Sequence, residues 1–341
     1  MGEERKFCHQ QGQEQDFGHS TLDVGPLNVL AIVGPTASGK SAAAVPLARE
    51  WGAEIVCADS RQVYRGFDLL TDKPAAEDRR IVPHHLLDIA DPEETFTAGE
   101  FRRRALAVLR DLASRRVPAL IVGGTGLYVR VLRRGLAELP AGDPALRHEM
   151  VDRERTEGAG TLHALLREAD PATASRTPPA NLHRIVRALE VHRLTGRPLS
   201  EWHADDPGGG VEMGIVGLFR ERGDLQRRIE ARIDRMIEEG VVHEVESALA
   251  SGLRPDHPVA TALGVRPIID ALRGRRPLAS AIERMKKETM AYAKRQMTWF
   301  RRETGVVWAD VTGLSDPEAM ADRAKKVLER SGKHGIIRPL A

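Results

Sequence analysis

The feature that most limits how this chain can fold is the octapeptide Gly34-Pro35-Thr36-Ala37-Ser38-Gly39-Lys40-Ser41. It matches G-x-x-x-x-G-K-S, and it lies directly after the apolar run Val29-Leu30-Ala31-Ile32-Val33 and before residues 41–50, which read as a helix. Strand, glycine loop and helix in that order form an anion cradle. The glycines let backbone N–H groups converge on phosphate oxygens, the helix N-terminus adds partial positive charge, Lys40 brings a point charge and Ser41 can ligate Mg²⁺. Such a loop predicts a bound polyphosphate. It does not say whether phosphorus or carbon is attacked.

Further apolar runs, Glu54-Ile55-Val56-Cys57-Ala58 and Ala119-Leu120-Ile121-Val122, close on polar or glycine residues as buried parallel strands do. Residues 98–115 between them carry helical spacing through Phe101, Ala105, Val108 and Leu112. This alternation predicts an α/β fold: a P-loop NTPase-like parallel sheet flanked by helices. From residue 143 to 204 the strand signals vanish, and the pattern predicts a helical insertion domain within a core made of residues 28–142 and 205–325. Residues 205–210 read as a linker, 214–219 as a strand, 225–250 as one long helix and 305–308 as a last strand.

Composition narrows the rest. With 341 residues and 41% hydrophobic content, the chain can bury a full core. A net charge of only +2 means that a nucleic-acid partner must be met by a local patch. The two cysteines, Cys8 and Cys57, make neither a disulfide framework nor a four-ligand zinc site. Residues 1–27 are polar and glycine-rich and read as a disordered tail, and no apolar run has membrane-spanning length, so the expectation is a soluble, cytoplasmic protein. Adjacent histidines His84-His85 point apart in a strand and read as structural.

Two strand ends carry candidate chemistry. Asp59 follows the second run, which puts its carboxylate at the carboxyl edge of a parallel sheet beside the phosphate loop. There it can hold Mg²⁺ through water or act as a general base. Gly123-Gly124-Thr125-Gly126 follows the 119–122 run, and offers a hydroxyl where an ATPase more often has an acid. Lys287, Lys294 and Arg301 recur at sevens on the segment 282–302, which makes a basic stripe, and Arg184, Arg187 and Arg193 form a second cluster on the insertion.

The order of these pieces resembles the tRNA dimethylallyltransferase family. The match runs through GPTASGKS (34–41), ADSRQVYRG (58–66), PHHLLDI (83–89), VGGTGLY (122–128), HRIVRALEV (183–191), Thr195-Gly196 with Pro198, and AKRQMTWF (293–300). The resemblance implies transfer of a dimethylallyl group from dimethylallyl diphosphate to the exocyclic N6 amine of the adenosine at position 37 of tRNA, beside the anticodon. The expected tRNAs read codons that begin with U. It implies Mg²⁺, a monomer, and a loop that holds the diphosphate as leaving group. By position, Asp59 falls on the family's general base, Thr125 on its active-site threonine and Arg232 on an arginine near the diphosphate. Asp59, Ser60, Arg61, Gln62, Thr125, Arg147, the run His183, Arg184 to Arg187, and the run Lys294, Arg295 to Arg301 fall on segments that meet tRNA. Leu70, Val265 and Met290 stand where the family usually has Gly, Tyr and Arg. The competing readings are a small-molecule or nucleotide kinase on the same loop, and an RNA-binding protein without catalysis.

Overall fold

The computed structural model describes residues 29–204 and 208–331. The expected tail 1–27 with Cys8, and residues 205–207 of the expected linker, lie outside the described residues.

Six strands form one sheet: β1 (Val29–Val33), β2 (Glu54–Cys57), β3 (His84–His85), β4 (Ala119–Gly123), β5 (Gly214–Phe219) and β6 (Val306–Asp310). All pairings are parallel, in the order β3-β2-β4-β1-β5-β6. The carboxyl ends of β1, β2 and β4 therefore open on the same edge. β1 and β4 are buried along their whole length, as their unbroken apolar runs require.

Along the chain the helices are α1 (Lys40–Trp51), α2 (Ala76–Ile81), α3 (Ala98–Ser114), α4 (Gly126–Arg134), α5 (Pro144–Glu157), α6 (Thr161–Ala169), α7 (Pro171–Ala174), α8 (Leu182–Thr195), α9 (Leu199–Ala204), α10 (Arg222–Glu238), α11 (Val241–Ala250), α12 (Val265–Leu272), α13 (Leu278–Arg301) and α14 (Pro317–Arg330). One sheet face packs on α3, α4 and Phe300 of α13, and the other on α1 and α14. Helices α5 to α9 close around an apolar cluster of their own, including Leu146, Met150, Leu162, Leu166, Ile185 and Leu189.

The structure differs from the sequence expectation over residues 225–250. Residues 225–250 are not one helix: Gly240, at φ 99, ends α10 and starts α11. The segment His84–His85 is a short strand pairing with Ile55 and Val56, in agreement with its reading from sequence. His85 Nε2 lies 2.6 Å from Glu54 Oε2 and His84 Nδ1 lies 2.8 Å from the Val82 carbonyl, so both rings serve the fold. Among the described residues, no helix is long and apolar enough to cross a membrane, and no cluster of three or more His, Cys, Asp or Glu is arranged to hold a metal.

Candidate active site

The loop after β1 is built on two glycines that no other residue replaces. A Cβ at Gly34 (φ 144) would stand 2.4 Å from the Leu218 carbonyl oxygen of β5, and one at Gly39 (φ 98) would stand 2.6 Å from Met320 Sδ. Lys40 folds back over the loop, and its Nζ donates to the Pro35 carbonyl at 2.8 Å. Although the residue is only half-buried as a whole, its ammonium is enclosed. Burial lowers its pKa to about 8 against the pull of Asp59, with Arg232 lowering it further.

Three arginines brace the outer side of the loop. Arg220 Nε donates to the Ser38 carbonyl at 3.0 Å, Arg228 Nε to the Ala37 carbonyl at 3.1 Å, and Arg232 Nη1 to Thr36 Oγ1 at 2.8 Å. Arg228 and Arg232 are four residues apart on α10 and so share a face. From the other side, the Thr36 N–H donates to Gln296 Oε1 of α13 at 2.7 Å.

At the ends of β2 and β4 the chain segments meet almost in contact. A Cβ at Gly123 would lie 2.1 Å from the Ala58 carbonyl oxygen, so glycine is what lets the two strand ends close together. The Ser60 N–H donates to Thr125 Oγ1 at 3.0 Å, and Thr125 Oγ1 lies 3.4 Å from Ser60 Oγ. Asp59 Oδ1 accepts the Arg61 N–H at 2.8 Å, which fixes the carboxylate in an Asx turn. Its Oδ2 has no hydrogen-bond partner among the described residues. Gly124 and Gly126 leave room for α13: a Cβ at either would stand 2.1 Å from Gln296 Nε2 or Trp299 Cδ1 respectively.

These segments line one cleft of about 1010 Å³, walled by Thr36, Gly39, Lys40, Ser41, Asp59, Asp72, Arg232 and Tyr292 among others. Anion-binding groups lie on one side and a carboxylate with a free oxygen on the other. Burial, with Asp59 beside it, pushes the Tyr292 hydroxyl up to about 12, so it stays neutral. The Ser41 side chain is exposed at the loop and helix junction, in the same cleft as Asp59. A Mg²⁺ ion bound chiefly by waters and phosphate oxygens needs few protein ligands, and this donor set fits one.

Of the residues singled out from sequence, the phosphate loop, Asp59 and Arg232 line this cleft, while Ser60 and Thr125 meet each other next to Asp59 without lining it. Arg61 Nη1 donates to the Pro258 carbonyl at 3.0 Å, and Gln62 is buried with Nε2 donating to the Thr71 and Asp72 carbonyls at 3.2 and 2.8 Å. On the insertion, Arg147 and Arg187 both pair with the fully buried Glu190, while His183 and Arg184 are exposed. On α13, Lys287, Lys294, Arg295 and Arg301 are exposed, whereas Gln296 and Phe300 from the same run face inward. The spacing alone does not reveal Arg228, Asp72, Tyr292 or Gln296. Leu70 fills the space beside Gly264 and Met285, and joins Val265 and Met290 in one apolar cluster.

A family model described as IPP transferase matches residues 62–303, and one described as isopentenyl transferase matches residues 27–83. A curated tRNA dimethylallyltransferase from Geobacter metallireducens is 46% identical over 293 residues, covering 84% of this chain and 94% of that protein. Another from Thermomicrobium roseum is 42% identical over 310 residues, covering 91% and 94%. Among solved structures, the full-length tRNA isopentenylpyrophosphate transferase of Bacillus halodurans aligns with a TM-score of 0.65 at 36% identity, over 90% of this chain and 98% of that one. A eukaryotic dimethylallyltransferase acting on tRNA aligns with a TM-score of 0.77 at 25% identity, over 90% of this chain and 79% of that one.

Proposed function

The chain belongs to the IPP transferase family, and from its cleft we propose that it transfers a dimethylallyl group from dimethylallyl diphosphate to the N6 amine of adenosine 37 in tRNA. Diphosphate is released. The acceptors are tRNAs reading codons that begin with U.

One observation carries the reading. The phosphate loop and Asp59 line a single cleft, Thr125 Oγ1 holds the N–H of Ser60 next to Asp59, and the residues just after β4, Gly124-Thr125, include no carboxylate to direct water at phosphorus. The exocyclic amine is a poor nucleophile because its lone pair is delocalised into the ring. Asp59 Oδ2 takes the amine proton as nitrogen bonds to the allylic carbon, and the carbon–oxygen bond breaks with its electron pair leaving on diphosphate. Lys40, Arg232 and loop amides absorb that charge. Ser41 would hold Mg²⁺, which supplies further charge compensation to the diphosphate. Thr125 Oγ1, anchored by the Ser60 N–H, orients the acceptor beside Asp59.

The adenosine must leave the stack to reach this cleft. The exposed cations Lys294, Arg295 and Arg301, with His183 and Arg184 on the insertion, suit phosphate contacts that position RNA. The paired Arg147 and Arg187 reach RNA only through the face that Glu190 leaves open. The domain reading follows: a phosphate-loop core formed by residues 28–142 and 205–325, with 143–204 as an RNA-facing insertion. The reading includes a monomer working where its tRNA is, in the cytoplasm.

Incubation with labelled dimethylallyl diphosphate, Mg²⁺ and unmodified tRNA tests this. Label is expected in the RNA. Its absence under conditions where both substrates bind would sink the proposal, and phosphate transfer from labelled ATP to a small molecule would put a kinase in its place.

A further inference from the structure

Gln296 is buried in the middle of α13, and both ends of its amide are used. Its Oε1 accepts the Thr36 N–H at 2.7 Å, and its Nε2 donates to the Gly124 carbonyl at 2.9 Å. One side chain thus spans the loop after β1 and the loop after β4. The first carries the leaving-group site and the second carries Thr125.

Thr36 is pinned from both sides, since its hydroxyl accepts from Arg232 Nη1 at 2.8 Å while its N–H goes to Gln296. Its amide is therefore withdrawn from the anion cradle and spent on spacing. The glycine at 124 belongs to the same device, because a side chain there would collide with Gln296 Nε2 at 2.1 Å. An amide suits this place, since it offers an acceptor and a donor at opposite corners of one rigid plane. Neither an acid nor an amine of similar size does both when charged.

We propose that Gln296 is a positioning residue that fixes the spacing between the phosphate loop and the loop after β4 that carries Thr125 next to the Asp59–Ser60 turn, and so the line from base through acceptor nitrogen to leaving group. The inference rests on the prenyl-transfer reading. Substitution transfer at carbon is sensitive to that alignment, and a displacement of about 1 Å costs on the order of 100-fold in rate.

The test compares wild type with Gln296→Leu, which keeps the packing but neither hydrogen bond, and Gln296→Glu, which keeps the acceptor alone when ionised. Titration with inorganic diphosphate plus Mg²⁺, and separately with tRNA, gives affinities. Single-turnover transfer at saturation gives the chemical step. The expected result is affinities within about threefold of wild type and a single-turnover rate about 100-fold lower in Gln296→Leu. The Gln296→Glu rate, taken as a ratio to wild type at each pH, should recover as pH falls, because the protonated acid again offers one donor and one acceptor. Should Gln296→Leu fail to fold, the Gln296→Glu rate ratio and affinities decide alone. A variant rate within threefold of wild type, or a loss confined to binding, overturns this inference and leaves prenyl transfer standing. No transfer by wild type removes both.

Discussion

Asp72 Oδ2 accepts from Arg232 Nη1 at 3.1 Å, the same nitrogen that donates to Thr36 Oγ1 at 2.8 Å. Arg235 Nη2 reaches the other oxygen of Asp72 at 3.3 Å. Asp72 sits in the left-handed region at φ 52, and Gln62 Nε2 holds its carbonyl at 2.8 Å, so the turn aims the carboxylate into the cleft. If the loop and Arg232 bind diphosphate as proposed, this negative charge opposes the arriving ligand and shares the arginine with it. Because this side chain is 40% exposed, solvent screens the effect to about 1 kcal/mol. Asp72→Asn is expected to lower KM for the allylic diphosphate by about fivefold with kcat nearly unchanged. A raised KM in steady-state assays would show instead that Asp72 holds Arg232 in place.

In the proposed mechanism Asp59 takes the proton. Asp59→Asn keeps the size and the acceptor for the Arg61 N–H while removing the base. Its single-turnover rate should fall by roughly 10²- to 10⁴-fold, with tRNA affinity preserved. Filter binding alongside rapid quench separates the two, and a near-normal rate would mean that the base is elsewhere.

On the proposed reading, Lys40 is expected to make diphosphate binding pH-dependent. With its pKa lowered to about 8 by burial, the ligand-free protein loses this charge as pH rises through that value. Diphosphate affinity should therefore be level below pH 8 and weaken above it, by up to about tenfold per pH unit, with proton uptake on binding. Calorimetry in buffers of different ionisation enthalpy measures that uptake, and Lys40→Met should abolish the slope. The stability sign is the reverse. Between pH 8 and 10.5 the unfolded lysine keeps a proton that the folded one has shed, so the destabilisation from burying this ammonium fades as pH rises through that window.

Cations that look alike in sequence should behave differently. Lys294 is exposed on α13, so Lys294→Ala should weaken tRNA binding, reduce the salt slope by about one and leave the melting temperature unchanged. Arg187 instead helps neutralise Glu190, whose side chain is 0% exposed, so Arg187→Ala should destabilise the insertion by about 3 kcal/mol. Thermal melts and salt-dependent binding on the two variants check both statements.

Much of the site is readable from the chain because it is local. The loop Gly34 to Ser41 depends on contiguous residues between a strand and a helix, and Asp59 and Thr125 declare themselves by following apolar strands whose ends must share one sheet edge. The basic stripe on α13 is readable from its period, although the period does not say that Gln296, which follows the exposed cations Lys294 and Arg295, turns inward. Gly240 splits a segment that reads as a single helix, because the left-handed turn there outweighs the apolar spacing on either side.

What the sequence alone determined is the parallel α/β core, the glycine loop after β1, and the acid and hydroxyl that follow β2 and β4, since each follows from short-range pattern and the geometry of parallel strands. Only the tertiary structure decided how the cradle is set. Gln296 meets Thr36 across 260 residues and Arg232 meets Asp72 across 160, contacts that no local period encodes. They form because α10 and α13 bury apolar faces against the core, and burial then favours partners for the Gln296 amide and for Arg232 Nη1, while Arg232 Nε is buried without one.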